Sequence, residues 1–227
     1  NVAILGTSGY TGVELVRLIS MHPEFKIHSL SGETKSGLKF GEVYPSLQYL
    51  NLPNLCYVSD INYDDLDLIF CALPHTKSAA IINKLPRNIK IIDLSADFRL
   101  NTDSLYKKWY GVDHPCPDLL SKFIYGLTEF YRTDIKNSDY VACTGCNSAT
   151  GLYPIIPLVS EGIIEFDDII INLATGVSGA GRKANEFIIH SEVSEGFSPY
   201  NVKSHRHLAE FDQELLKFTG KKIRVTF

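Results

Sequence analysis

The opening of the chain constrains the fold more than any other feature. Val2, Ala3, Ile4 and Leu5 form an unbroken apolar run, as in a strand buried within a parallel sheet. The turn GTSGYTG follows at once. VELVRLISMHP then places Val13, Leu15, Val16, Leu18 and Ile19 on a helical stripe that Pro23 ends. Downstream, 26–31, 67–74 and 89–95 read as further strands and 76–85 as a crossover helix. Strands alternating with helices predict an α/β fold, with a mainly parallel sheet covered by helices on both faces.

The pattern changes after about residue 140. Residues 139–143 read as a strand, 146–162 as a helix with Asn147 and Ser148 as cap candidates, and 166–179 as a strand. Leu208, Phe211, Leu215, Leu216 and Phe218 give 207–218 a near-helical spacing, and 221–227 begins another strand. A boundary near residue 145 predicts two domains, 1–145 and 146–227. A chain of 227 residues buries a substantial core without disulfides or metals.

Composition excludes several classes. Lys and Arg total 22 against 26 Asp and Glu, a formal charge of -4, so no basic field neutralises a phosphate backbone and nucleic acid is not an expected partner. No apolar run reaches the roughly 18 residues of a membrane span. The first residues lack the basic start and cleavage site of a secretory signal, so no membrane partner is expected and the location reads as cytoplasmic, or as an organelle if a targeting segment has been removed. Five cysteines, at 56, 71, 116, 143 and 146, are an odd number with no regular framework, which argues against a disulfide scaffold. Cys143 and Cys146 form a C-x-x-C without a second pair or a spaced histidine pair, so no metal is expected. A redox dithiol is the alternative use of that pair.

Gly6, Gly9 and Gly12 form G-x-x-G-x-x-G between the first strand and helix. Small residues there let backbone N–H groups approach a pyrophosphate at the helix N-terminus; a tight structural turn is the other reading. Further on, where a ribose-reading group is expected, Glu33 would accept from a 2′-hydroxyl and favour NAD, whereas Ser31 and Lys35 would hold a 2′-phosphate and favour NADP. DLSADFR sets Asp93, Ser95, Asp97 and Arg99 just after a strand, at the end where open parallel sheets collect ligands. Arg99 is there either an anion ligand or a salt-bridge partner of Asp97 or Asp93. Cys146 stands at a predicted helix start, where the positive end of the helix favours the nucleophilic thiolate, while Cys143 reads as a packed thiol. His205 and His207 flank Arg206 before a helix, which suits a general acid/base with an anion-attracting neighbour, or plain surface residues. GVSGAGRK at 176–183 suits anion or cofactor contact, or a mobile turn.

As a set, TSGYTGVELVRLI, LPHTKS, IIDLSADFR, KWYGVDHP, YGLTE, GCNSAT, GVSGAGRKA and HRHLAE resemble, in the same order, the N-acetyl-gamma-glutamyl-phosphate reductase family of arginine biosynthesis. The chain is similar more distantly to aspartate-semialdehyde and glyceraldehyde-phosphate dehydrogenases. The resemblance covers essentially the whole chain. It implies an N-terminal Rossmann domain, a C-terminal α+β domain of the glyceraldehyde-phosphate dehydrogenase type, NADP(H) as cofactor and a homo-oligomer, dimer or tetramer. It matches Cys146 with the catalytic cysteine and HRH with the catalytic histidine segment, His207 for preference and His205 otherwise. Thr7, Ser8, Tyr10 and Thr11, with the three glycines, match the cofactor loop, and Pro74 and His75 of LPHTKS join them. Ser95, Arg99, Asn147, Ser178, Gly179 and Arg182 become candidate contacts for a small acyl-phosphate substrate. The implied reaction is attack of Cys146 on the acyl phosphate, loss of phosphate to give a thioester, and hydride reduction to the semialdehyde.

Three departures accompany the resemblance. The family commonly has Asn-Pro-Gly-Cys-Tyr-Pro-Thr around the nucleophile, whereas this chain has CTGCNSAT from Cys143 to Thr150. That segment and HRHLAE lean toward the sister reductases of lysine biosynthesis, which act on carrier-bound aminoadipyl phosphate; GVSGAGRKA and SEVSEGF lean back to the arginine family. Glu33 stands where relatives usually have an arginine, which keeps NAD open beside NADP. Relatives continue for roughly another hundred residues, so the chain is expected to be part of a longer one with its second domain truncated. Two readings from other classes compete: a dinucleotide-binding sensor without turnover, and a thiol–disulfide oxidoreductase using Cys143 and Cys146.

Overall fold

The computed structural model describes residues 1–227. In chain order the elements are β1 (Val2–Leu5), α1 (Tyr10–Ser20), β2 (Ile27–Ser31), α2 (Phe40–Val43), β3 (Leu55–Cys56), β4 (Leu68–Cys71), α3 (Ser78–Ile82) and β5 (Lys90–Asp93). They continue as α4 (Asp103–Tyr110), β6 (Ile124–Tyr125), α5 (Thr128–Lys136), β7 (Tyr140–Ala142), α6 (Cys146–Ser160), β8 (Ile169–Ile170), α7 (His190–Val193), α8 (Leu208–Thr219) and β9 (Val225–Thr226). The chain divides into two compact units, Asn1–Phe98 with Ser121–Cys143, and Arg99–Leu120 with Thr144–Phe227.

The first unit holds one sheet in the order β3-β2-β1-β4-β5-β7-β6, and each of its pairings is parallel. β1 lies in the interior of the sheet because all four of its residues are apolar and can be buried on both faces. Its neighbours are in register at Ala3 with Ser29 of β2 and Ile69 of β4. α1 lays Val16 and Ile19 on a core that includes Val2, Ile4, Leu30, Phe40, Leu55 and Phe70. Leu18, counted in the same stripe from the sequence, is 53% exposed on the other side of the helix. The strand order runs outward from β1 in both directions, so β1 and β4 flank the topological switch point where open α/β sheets bind ligands.

The strands expected at 67–74 and 89–95 stop at Cys71 and Asp93, and at the second of these the Asp93 carboxylate accepts from Ser78 Oγ and the Ser95 N–H. β3 and β6 have two residues each, too short to leave a periodic signal. α4 is a polar helix burying only Tyr106, and its ends are set locally. Thr102 Oγ1 accepts the Leu105 N–H at 3.3 Å, and Gly111 closes the helix at φ 75°.

In the second unit α6 packs on α8. Gly151 meets Phe211 so closely that a Cβ at 151 would lie 2.6 Å from the ring, and Phe211 is completely buried. The strand expected over 166–179 is realised only as β8, which pairs in parallel with β9. Residues Val177–Ala180 instead form a 3-10 turn closed by Gly181 at φ 87°, a conformation no strand continues through. α6 is capped by Gly145 and not by Asn147 or Ser148, which already lie within its first turn. No helix is long and apolar enough to cross a membrane.

Truncating Phe211 to Ala removes the ring that fills the contact between α6 and α8. The expected loss of unfolding free energy is about 3–5 kcal/mol, read by urea titration. A loss under about 1 kcal/mol would contradict this packing.

Candidate active site

The glycine loop of the first unit is shaped by close approach. Gly6 has φ 83°, and a Cβ there would lie 2.4 Å from the carbonyl oxygen of Ala72; a Cβ on Gly12 would lie 2.5 Å from that of Gly6. Gly9 caps α1 with extended backbone and has no foreign atom nearer than 3.7 Å to its missing Cβ, which leaves room over the helix N-terminus. The amides opening α1, from Tyr10 onward, lack intrahelical acceptors and are oriented for a pyrophosphate.

Thr7 and Ser31 build this loop from beneath. The Thr7 N–H and Oγ1–H both donate to the Ser31 carbonyl, at 2.8 and 2.7 Å, and Ser31 Oγ accepts the Gly6 N–H at 3.1 Å. Both residues are buried, so their visible work is structural, whereas Tyr10 and Thr11 are exposed and Ser8 is partly so. Tyr44, which the sequence did not mark, donates its phenol to the carbonyls of Ser8 and Gly9 at 2.8 and 3.3 Å. After β2, Glu33 accepts the Val58 N–H at 3.1 Å, and Lys35 on the same turn is exposed.

The loops after β4 and β5 are joined by two fully buried carboxylates. Asp97 accepts the N–H groups of Thr76 and Ala79 at 2.6 and 2.9 Å, holding Thr76 at φ 66° and setting the turn that exposes Pro74 and His75. Asp93 accepts from Ser78 Oγ at 2.7 Å, from Ser95 Oγ at 2.6 Å and from the Ser95 N–H at 3.1 Å. Ser95, a candidate substrate contact from its sequence position, is thus 5% exposed and bonded inward because the strand-end carboxylate needs its hydroxyl.

Burial pushes the Asp93 carboxyl up to about 6, against the opposing effect of its serine hydrogen bonds. Unfolded, the group titrates near 4, so folding takes up a proton between the two values. This contribution to stability is full below about pH 4 and falls by up to about 3 kcal/mol as the pH rises through 6. Asp93→Asn cannot ionise and should therefore gain in melting temperature over the wild type on going from pH 5 to pH 7.5. A difference independent of pH would contradict this.

In the second unit Cys146 is exposed as the first residue of α6, directly after buried Gly145. The Gly145 N–H donates to Glu210 Oε2 at 2.9 Å. A Cβ on Gly145 would lie 2.5 Å from His207 Nε2 and 2.7 Å from Glu210 Oε1, so the imidazole and the carboxylate rest against the residue preceding the thiol. Burial, outweighing the nearby Glu210 carboxylate, drives His207 down to about 4. At neutral pH its contact with Glu210 Oε1, 3.8 Å away, is therefore not an ion pair, and the ring can accept a proton.

His205 has a different place. Its Nδ1 accepts the His207 N–H at 3.2 Å, and its ring meets those of His207, Phe227 and Tyr200 edge-on at 4.6, 5.0 and 5.6 Å. Asn147 is 8% exposed; its Oδ1 accepts from Cys146 Sγ at 3.7 Å and its Nδ2 donates to Tyr200 Oη at 3.3 Å. Arg99 faces Glu210, with Nη1 3.6 Å from Oε1. Its main chain is tied to α8 as well, because Gln213 Nε2 donates to the Arg99 carbonyl at 3.1 Å. Arg206 lies with its guanidinium 5.3 Å from the Tyr110 ring centroid, in a cation–π contact.

Structure thus brings Cys146, Asn147, His205, His207 and Arg99 into one group, joined by Glu210, Gly145 and Tyr200. Ser178 and Gly179 make main-chain hydrogen bonds within their own exposed turn, and Arg182 follows on the same exposed loop. Glu210 was the residue to find from sequence: an acidic side chain three positions after His207 shares its helical face.

A glycine loop at the switch point of a parallel sheet, and in the second unit an exposed thiol at a helix start whose preceding glycine packs on a neutral imidazole, point to the class of α/β dehydrogenases with a cysteine and a histidine in the site. Two family profiles match, "Semialdehyde dehydrogenase, NAD binding domain" over residues 1–138 and "Semialdehyde dehydrogenase, dimerisation domain" over residues 146–227. The chain belongs to the semialdehyde dehydrogenase family. Its relatives include the N-acetyl-gamma-glutamyl-phosphate reductase of Cereibacter sphaeroides (strain ATCC 17025), 53% identical over 100% of this chain and 67% of the relative. That of Rhodobacter capsulatus is 51% identical over 100% of this chain and 66% of the relative. The chain therefore spans about two thirds of the length of these curated relatives. Among solved structures, aspartate semialdehyde dehydrogenase with NADP from Candida albicans matches with a TM-score of 0.65 at 16% identity, over 99% of this chain and 66% of that one. Aspartate semialdehyde dehydrogenase II from Vibrio cholerae matches with a TM-score of 0.60 at 13% identity, over 100% of this chain and 68% of that one. These structures share the fold.

Proposed function

We propose that this chain carries the NADPH-dependent reduction of N-acetyl-gamma-glutamyl phosphate to N-acetylglutamate semialdehyde, a step of arginine biosynthesis in the cytoplasm. The observation that carries the reading is the exposed Cys146 thiol opening α6 one residue from Gly145, against which neutral His207 rests. The names of relatives at about 50% identity support the acetylglutamyl substrate over a carrier-bound aminoadipyl one. Residues 1–145 are the proposed dinucleotide-binding domain and 146–227 the catalytic and dimerisation domain, and a homo-oligomer is in keeping with the dimerisation profile.

His207 takes the Cys146 proton, and the thiolate attacks the acyl carbonyl. The amides of the first turn of α6, unpaired within the helix, stabilise the oxyanion as phosphate departs and a thioester remains. A dinucleotide held by the glycine loop would supply the hydride for this thioester. The imidazolium of His207 protonates the resulting oxyanion, then takes that hydroxyl proton back as the C–S bond breaks, which releases the aldehyde and regenerates the thiolate. Gly6, Ser8, Gly9, Tyr10, Thr11 and Gly12 would hold the pyrophosphate, since the loop leaves its helix N-terminus open, with Pro74 and His75 beside it. Exposed Lys35 supports NADP, and Glu33, one of whose oxygens accepts the Val58 N–H, keeps NAD as the alternative. Arg99, Asn147, Ser178, Gly179 and Arg182 are the proposed substrate contacts.

Cys146→Ser is expected to abolish phosphate-dependent oxidation of N-acetylglutamate semialdehyde, assayed with NADP and with NAD, while dinucleotide binding persists. Full activity in this variant would refute the assignment. His207→Asn should lower the rate by about 10²–10⁴-fold. If only His205→Asn did so, the histidine roles would be exchanged.

A further inference from the structure

We propose that Glu210 is a positioning residue for the Cys146–His207 pair, holding the peptide before the thiol with one carboxylate oxygen and facing the imidazole with the other. The inference rests on the reading of Cys146 as nucleophile and His207 as its proton partner.

Glu210 is 1% exposed in the first turn of α8, a burial that a carboxylate tolerates only among compensating groups. Oε2 accepts the Gly145 N–H at 2.9 Å, which fixes the peptide plane leading into α6 and so the start of the helix from which Cys146 projects. Oε1 lies 3.8 Å from His207 Nε2 and 3.6 Å from Arg99 Nη1. His207 and Glu210 are three residues apart on one helical face, so the α8 backbone fixes imidazole relative to carboxylate. The carboxylate fixes Gly145 relative to α8. One side chain closes the frame that sets thiol against imidazole.

The charged groups facing His207 are Glu210, His205 and Arg99, and of these Glu210 alone favours the protonated ring. Glu214, one turn further along α8 and equally buried, accepts from Gln213 Nε2 at 2.9 Å. Glu210 therefore has two separable effects. Ala at this position removes both the acceptor for Gly145 and the charge, whereas Gln keeps an oxygen for the Gly145 N–H and removes the charge alone.

The test compares Glu210→Ala and Glu210→Gln with the wild type in the semialdehyde-oxidising direction, together with iodoacetamide alkylation of Cys146. Glu210→Ala should lose at least about 100-fold in kcat while KM for NADP stays within about threefold. Glu210→Gln should recover at least about tenfold of that loss, and the acid limb of its kcat–pH profile should move to lower pH as the ring loses its anion. In alkylation, His207→Asn should slow Cys146 in the wild-type background and have no further effect in Glu210→Ala. Wild-type kcat in Glu210→Ala, additive alkylation effects, or KM rising in step with the fall in kcat would overturn the proposal. Should Glu210→Ala fail to fold, Glu210→Gln with wild-type kcat and pH profile overturns it. A wild-type protein that labels at Cys146 and lacks reductase activity would refute the functional reading, and the alkylation cycle would still decide whether Glu210 couples the two groups.

Discussion

The arrangement of side chains at the start of α6 depends on the absence of a side chain at position 145. His207 Nε2 and Glu210 Oε1 occupy the space a Cβ would need, at 2.5 and 2.7 Å from where it would stand. A residue with a side chain would displace His207 and Glu210 from the start of α6. The same economy appears one turn into α6, where Gly151 admits the Phe211 ring. Backbone contact at the start of the two helices brings a buried carboxylate, a partly buried imidazole and an exposed thiol into a small volume.

The first unit solves a related problem with carboxylates. Loops leaving β4 and β5 carry polar backbone groups that the sheet no longer satisfies, and Asp97 and Asp93 accept them from below. The serines at 78 and 95 complete that network. Burial in such a place raises the Asp93 carboxyl, so this end of the sheet is sensitive to pH. Strain at Thr76, held at φ 66° by Asp97, belongs to the same arrangement, and strain of this kind persists only where surrounding contacts over-determine it.

Much of this was legible in the sequence because it is local. An uninterrupted apolar run running into a glycine-rich turn and a helical stripe reads as a βα unit with an interior strand, and a cysteine after glycine at a helical pattern marks its start. The rest depends on partners far along the chain. Ser31 and Ser95 read as ligand contacts, yet their hydroxyls serve Gly6 and Asp93. Arg99 follows Asp93 and Asp97 closely in sequence, yet the carboxylate it faces is Glu210, which no spacing rule connects to it. The strand expected over 166–179 reduced to two residues because glycine-rich backbone at 176–181 turns instead. Tyr44 holds the glycine loop from more than thirty residues away, and two-residue edge strands leave no period to detect.

The central claim is that Cys146 becomes acylated and that this thioester is what the cofactor reduces. Incubating the protein with N-acetylglutamyl phosphate in the absence of dinucleotide, followed by acid quench and peptide mass spectrometry, tests it directly. The account predicts one acyl adduct, on the peptide containing Cys146, that disappears when NADPH is added before the quench. An adduct on Cys56, Cys71, Cys116 or Cys143 in place of Cys146, or an active protein with no adduct at all, would contradict it.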